Sequence, residues 1–277
     1  MAGIDSIAAL ADLMRTRRTV VLSGAGVSTE SGIPDYRGSD SPRRARAPIS
    51  YQEFVRDANA RRRYWARSTV GWPRFTEATP NPGHQALAAL ETSDYVSGII
   101  TQNVDRLHQQ VGSTTVVELQ GALADVRCLR CNRRVDRSAH QRRLLQENPT
   151  WPPSSATLAP DGDAVLPDAE TRSFRVPGCL RCGGTLKPDV VFFGESVPRA
   201  RVEAAWRLFE TAEMLLVVGS SLAVYSGFRF VRRAADQARP VGIVNLGPTR
   251  GDPLAHLRIE ERTGTLLPRL AEALQAE

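Results

Sequence analysis

Short apolar runs recur along the chain at 19–23, 96–101, 115–119, 188–193, 214–219 and 241–246. They are unbroken rather than alternating, and rich in Val, Ile and Leu. Runs of this kind predict strands buried on both faces. Helical spacing fills several of the intervals, for example 198–212 and 227–238. Apolar strands alternating with helices predict a parallel sheet covered on both sides. A binding crevice is then expected at the carboxyl ends of the strands.

Two segments interrupt this rhythm. Residues 42–75 carry eight arginines between Arg43 and Arg67, with Tyr51, Phe54, Tyr64 and Trp65 among them, and read as inserted helix. Residues 126–187 hold all four cysteines of the chain around a Pro-, Ser-, Asp- and Gly-rich stretch at 149–168. No internal repeat is present.

The first run leads straight into chemistry. Thr19–Leu22 feeds Ser23-Gly24-Ala25-Gly26, a strand entering a glycine turn. Glycine there lets backbone approach a ligand closely and leaves N–H groups to point at a phosphate. Polar or small clusters also follow three other runs: Thr101–His108, Gly219-Ser220-Ser221 and Asn245-Leu246-Gly247. Four such clusters at strand ends define one crevice able to bond ribose and phosphates.

The cysteines fall in two Cys-x-x-Cys pairs, Cys128/Cys131 and Cys179/Cys182. Four thiolates from two tight turns suit one tetrahedral zinc ion, and a set with no open position is structural. The alternative, a redox dithiol, normally shows one pair at a helix start. The 47 residues between the arms, 132–178, demand a substantial internal loop.

Composition adds limits. At 277 residues and 42% hydrophobic, the chain can build one large domain with a smaller partner. No apolar run approaches the roughly 18 residues of a membrane helix, and Met1–Leu13 reads as a first helix rather than a signal peptide. A soluble, cytoplasmic protein with no membrane partner is expected. The net charge is +6, yet Lys187 is the only lysine among 36 Lys and Arg residues. Compositional bias explains this, or guanidinium recognition of phosphate or carboxylate. Nucleic acid is not an expected partner, since the arginines are dispersed and no standard nucleic-acid motif is present.

Taken in order, these motifs resemble the sirtuins, NAD-dependent protein deacylases. Gly24–Gly38 matches the family's cofactor loop, with Tyr36 where phenylalanine is usual. Thr101–His108 matches its Thr-Gln-Asn-x-Asp-x-Leu-His segment, and Lys187–Glu195, Gly219–Ser221 and the cysteine pairs also fit. The resemblance spans about residues 7 to 270. Tracts at 148–151, 159–163, 219–230 and 245–252 are most similar to the class II branch, which includes bacterial enzymes and a mitochondrial sirtuin of animals.

The resemblance implies an α/β fold: a doubly wound, Rossmann-like parallel sheet with a smaller zinc-binding and helical lobe. The single catalytic domain would divide into a large lobe (1–41, 84–125, 188–277), a helical insertion (42–83) and a zinc module (126–187). NAD would contact Gly24, Ala25, Gly26, Ser28, Asp35, Tyr36, Arg37, Gln102, Asn103 and Asp105. Its adenine end would meet Gly219, Ser220, Ser221, Asn245, Leu246 and Gly247, and Thr263 would also contact the cofactor. Asn103 and Asp105 would also act in catalysis. An acyl-lysine peptide or protein would pair as an added strand along Val191, Phe192, Gly194 and Glu195, opposite Val224. Products would be lysine, nicotinamide and O-acyl-ADP-ribose.

One position departs. The family's general-base histidine follows a Val-x-Glu-Leu strand; here Val117-Glu118-Leu119 is followed by Gln120. An amide cannot deprotonate a ribose hydroxyl near neutral pH, so an impaired deacylase is expected. A natural non-catalytic binder and a substitution that traps a complex both fit, and the otherwise complete constellation favours the second. Mono-ADP-ribosyl transfer and NAD or ADP-ribose sensing are the alternative functions. Tyr64 and Arg67 share the spacing of sirtuins that accept carboxyl-bearing acyl groups. A surface arginine beside a packed tyrosine is the plainer explanation.

Overall fold

A computed structural model describes residues 4–35, 48–151 and 171–275. Among these, the strands in chain order are β1 (Thr19–Ser23), β2 (Val96–Thr101), β3 (Val116–Glu118), β4 (Gly121–Cys128), β5 (Arg134–Asp136), β6 (Leu186–Val190), β7 (Met214–Val218), β8 (Val241–Val244) and β9 (Leu257–Ile259). The helices are α1 (Ile4–Arg15), α2 (Tyr51–Arg56), α3 (Ala58–Thr76), α4 (Pro82–Thr92), α5 (Leu107–Gln110), α6 (Arg137–Glu147), α7 (Arg199–Glu210), α8 (Tyr225–Asp236) and α9 (Thr263–Gln275). The described residues form two compact units: 4–35, 79–119 and 197–275 in the first, 48–78, 120–151 and 171–196 in the second.

The first unit is built on a parallel six-stranded sheet in the order β3-β2-β1-β7-β8-β9. Side chains of successive strand residues point to opposite faces, and here both faces are apolar. Val21, Leu216 and Val218 pack with Leu10, Met14, Leu87, Leu90, Leu266 and Leu270. Their neighbours Val20, Leu22, Leu215 and Val217 pack with Phe209, Phe230 and Val231. That double burial explains the unbroken apolar runs. The strand order reverses between β1 and β7, the switch point where open α/β sheets place ligands.

The second unit contains an antiparallel sheet, β5-β4-β6, with α2, α3 and α6. Its core joins Phe54, Tyr64, Trp65, Val126, Leu144, Phe174 and Leu186 to Cys128 and Cys179. The Arg137 guanidinium is buried in it, 5.3 Å from the Trp65 ring and 5.0 Å from the Trp72 ring, and donates to Gln141 Oε1 and Ser68.

One strand sits elsewhere than its apolar pattern suggests. Of the 188–193 run, expected in the parallel sheet, residues 188–190 lie in β6, which pairs antiparallel with β4, Val126 opposite Pro188. An apolar run marks burial without choosing a partner. Pro188 lacks an N–H and so favours an edge strand, which β6 is. Residues 120–125 and 188–196, expected in the large lobe, accordingly belong to the second unit, and 79–83 belong to the first.

Candidate functional site

Backbone meets backbone at the switch point. The Gly24 N–H donates to the Val218 carbonyl at 3.0 Å and the Gly26 N–H to the Gly219 carbonyl at 2.8 Å. A Cβ on Gly24 would lie 2.6 Å from Ser220 Cβ. Gly219 has φ of 59°, and a Cβ there would strike the Val27 backbone. The glycine amides were expected to face a phosphate. Instead they satisfy buried carbonyls of the neighbouring strand, as buried backbone must. What glycine supplies here is close approach of the turn after β1 to the turn after β7. Tightly packed glycine turns at the carboxyl ends of β1 and β7 suit the phosphates of a dinucleotide, which such switch points receive.

Polar side chains gather beside it. Ser28 Oγ donates to Asp105 Oδ2 at 2.7 Å and accepts from Asn103 Nδ2 at 3.0 Å. Asp105 Oδ1 also accepts the N–H of Leu107, the first residue of α5, at 3.0 Å. Burial pushes the Asp105 carboxyl above its ordinary range, against the lowering effect of these donors. Ser220 Oγ donates to Gln102 Oε1 at 2.7 Å. Gly227 of α8 approaches Gln102 so closely that a Cβ would sit 2.6 Å from Nε2.

Beneath this layer lies a buried relay that sequence reasoning did not assign. Ser23 Oγ lies 2.9 Å from both Thr101 Oγ1 and His108 Nε2, and Thr101 Oγ1 accepts the Asn103 N–H at 3.0 Å. Burial lowers His108 to about 3 and the adjacent His84 to about 4, so both stay neutral. Asn81 caps α4 while its Nδ2 donates to the Val27 carbonyl at 2.7 Å and to Ser31 Oγ at 2.9 Å. An Asn-Pro pair ahead of a helical pattern is the signal that could have found it.

Other expected contacts spread along the same unit. Ser221 accepts the Arg250 N–H through its carbonyl, and Asn245 Nδ2 donates to the Leu246 and Gly247 carbonyls. Leu246 is 52% exposed. Thr263 opens α9, with its Oγ1 3.4 Å from the Gly26 carbonyl, and Ala25 lies in the turn after β1. Asp35 ends the described loop at half burial; Tyr36 and Arg37 lie outside the described residues. Val224 caps α8 and is exposed.

The second unit holds the metal centre. The four cysteine sulfurs lie within 4.8 Å of one another, with Cys128–Cys182 at 3.5 Å and Cys131–Cys179 at 3.8 Å. A zinc tetrahedron with bonds of about 2.3 Å has edges of about 3.8 Å, so the donor set fits one structural zinc ion. Backbone N–H groups, first that of Arg181, lower the Cys179 thiol to about 6. Gly184 makes room, since a Cβ there would lie 3.0 Å from Cys128 Sγ.

The remaining residues also belong to the second unit. Gln120 is half-buried and accepts the Val191 N–H at 2.8 Å. Phe192 packs edge-on to Phe54, 5.3 Å between centroids, and at 5.3 Å from the Tyr64 ring. Tyr64 is only 4% exposed, and Arg67 follows one turn later at half burial. Gly194 has φ of 77° and meets Gln52, whose Nε2 donates to its carbonyl at 3.2 Å. Glu195 pairs with Lys187 at 2.9 Å.

The first unit is thus a doubly wound dinucleotide-type sheet, and the second adds a four-cysteine metal centre. Residues 24–226 match the Sir2 family, and the chain belongs to that family. It is 53% identical over 247 residues, 89% of this chain and 84% of the relative, to an NAD-dependent protein deacetylase of Xanthomonas axonopodis pv. citri. The mitochondrial NAD-dependent protein lipoamidase sirtuin-4 of Homo sapiens is 48% identical over 256 residues, 91% of this chain and 82% of the relative. A solved Sir2 structure with a p53 peptide and NAD+ superposes at a TM-score of 0.77 with 30% identity, covering 97% of this chain and 98% of that one. No helix among the described residues is long and apolar enough to cross a membrane.

Proposed function

We propose that the chain is an NAD-dependent protein-lysine deacylase whose rate is limited by Gln120. The carrying observation is the close packing of the Gly24 and Gly219 turns beside the Ser28–Asn103–Asp105 triangle, in a chain of the Sir2 family. Bound NAD supplies an activated ribose carbon with nicotinamide as leaving group. The glycine turns would receive the phosphates; Gln102, Asn103 and Asp105 would hold the nicotinamide end, with Ser220, bonded to Gln102 at 2.7 Å, on that side rather than at the adenine end; Ser221 and Asn245 would hold the adenine end. Phe192–Glu195 presents backbone to an extended acyl-lysine peptide, a mode in which main-chain bonds supply affinity. Acyl-lysine, NAD and water give lysine, nicotinamide and O-acyl-ADP-ribose.

Gln120 can hold a ribose hydroxyl but cannot take its proton, which slows the steps after nicotinamide departs. We place the protein in the cytoplasm, whose reducing conditions keep a four-thiolate site intact.

The test is NAD turnover by the chain beside its Gln120→His form, on acetyl-, lipoyl-, succinyl- and glutaryl-lysine peptides with products weighed by mass spectrometry. Acyl loss with O-acyl-ADP-ribose supports the reading. ADP-ribose gained by the peptide would make it a transferase. NAD binding with no nicotinamide release from either form would make it a sensor.

A further inference from the structure

Lys187, the only lysine of the chain, is 4% exposed in β6. Its ammonium meets Glu195 Oε2 at 2.9 Å, donates to the carbonyls of Pro188 and Val190, and lies 4.3 Å from the centre of the Phe192 ring. The same Glu195 oxygen accepts the Phe192 N–H at 2.8 Å. One carboxylate oxygen therefore ties a buried cation to the start of the Phe192–Glu195 turn.

The turn is closed by the Glu195 N–H on the Phe192 carbonyl at 3.0 Å. From the other side, the Tyr51 N–H donates to the Phe193 carbonyl at 2.9 Å, and Gln52 holds Gly194. Phe193 itself is left 47% exposed. The Phe192 N–H and the carbonyls of Phe192, Phe193 and Gly194 are thus each held within the second unit.

A buried ammonium is a costly way to fill space. Apolar residues of similar volume often stabilise as well or better, so the ion pair points to a demand for geometry. We infer that Lys187 and Glu195 form a buried clamp that fixes the Phe192–Glu195 backbone as a docking edge for the extended acyl-lysine peptide. The inference rests on the deacylase reading. Lys187 touches neither cofactor nor reacting atoms under that reading; it is a positioning residue for peptide affinity. A misplaced docking edge weakens binding without disturbing the glycine turns, which are built in the first unit.

The experiment compares the chain with Lys187→Met and Glu195→Gln. Hydrogen exchange is followed at 191–196, with β7 as internal control. Binding of a fluorescent acetyl-lysine peptide and of NAD is measured separately, with zinc content as the check on folding. Expected in both variants are faster exchange confined to 191–196, peptide affinity lower by about ten- to a hundredfold, NAD affinity within about twofold, and one zinc per chain. Unchanged exchange at 191–196, or faster exchange with unchanged peptide affinity, overturns the clamp. If Lys187→Met loses its zinc, Glu195→Gln, at a partly exposed position, decides on the same two readings. A parent chain that binds NAD but no acyl-lysine peptide removes the deacylase reading itself, an outcome distinct from variants that bind as the parent does.

Discussion

Ser28 Oγ and Asp105 Oδ2 lie 2.7 Å apart, joining the loop after β1 to the loop after β2. The bond holds a carboxylate in a place that resists its charge, because burial raises the Asp105 pKa above 3.8. A raised carboxyl is stabilising below its unfolded pKa, and that contribution is lost as pH rises through the folded value. At pH 7 the folded chain therefore carries a penalty at Asp105. Asp105→Asn is expected to melt higher than the parent at pH 7 and to lose that advantage below pH 3.8. Turnover of the same variant should fall by about 10²-fold or more. A variant that melts lower at pH 7 and higher at pH 3 would contradict the burial argument.

Gln120→His should raise deacylation by about 10²- to 10⁴-fold, the usual worth of a general base. The gain should follow the neutral imidazole, rising with pH near 6.5. Steady-state rates across pH 5.5–8.5 decide the matter, and a flat profile with no gain would dismiss Gln120 as the limiting group.

Three buried histidines should make the fold acid-sensitive. Burial lowers His84 to about 4, and His108 and His140 to about 3. For a lowered histidine the unfolded chain binds the extra proton, so stability is lost as pH falls from about 6.5 toward the folded value. Urea midpoints should drop steeply between pH 6.5 and pH 4. Neither His140 nitrogen has a hydrogen-bond partner among the described residues, and its ring lies 4.5 Å from that of Trp65. His140→Phe should flatten the drop in the second unit; an unaltered slope there counts against the assignment.

Removing zinc should unfold the second unit. Cys128 and Cys179 are part of its core, and structural zinc in small domains is worth about 10–16 kcal/mol. A strong chelator should release one zinc per chain and abolish the near-ultraviolet signal of Trp65 and Trp72. Cys179→Ser should reproduce the effect without chelator. Retention of the aromatic signal after full metal loss would show that the core stands unaided.

Acyl preference can be read at Arg67. If it meets a distal carboxylate, Arg67→Met should cut succinyl- and glutaryl-lysine kcat/KM by about tenfold or more while sparing acetyl-lysine. Equal losses on all substrates would return Arg67 to a packing role on α3.

The sequence made the parallel sheet legible because β1, β7 and β8 are buried on both faces, which leaves an apolar signature that does not depend on partners. It made the metal centre legible because thiolate spacing is local. The place of β6 was harder to read, as apolarity reports burial and not pairing; Pro188 was the available clue. The Ser23–Thr101–His108 relay was hidden for another reason. Its members lie 78 and 85 residues apart, and a buried serine looks like any strand residue. The charge on Lys187 was visible, but its burial was not.

That lone buried ammonium has a practical corollary. A protein that acts on acylated lysines carries, within these 277 residues, no exposed lysine of its own. Reactive acyl donors that decorate its neighbours find no side-chain amine to attack, and the chain offers itself no substrate. Any amine-directed label that does enter a side chain must have waited for one turn, Phe192–Glu195, to open, which turns a single lysine into a clock for that opening.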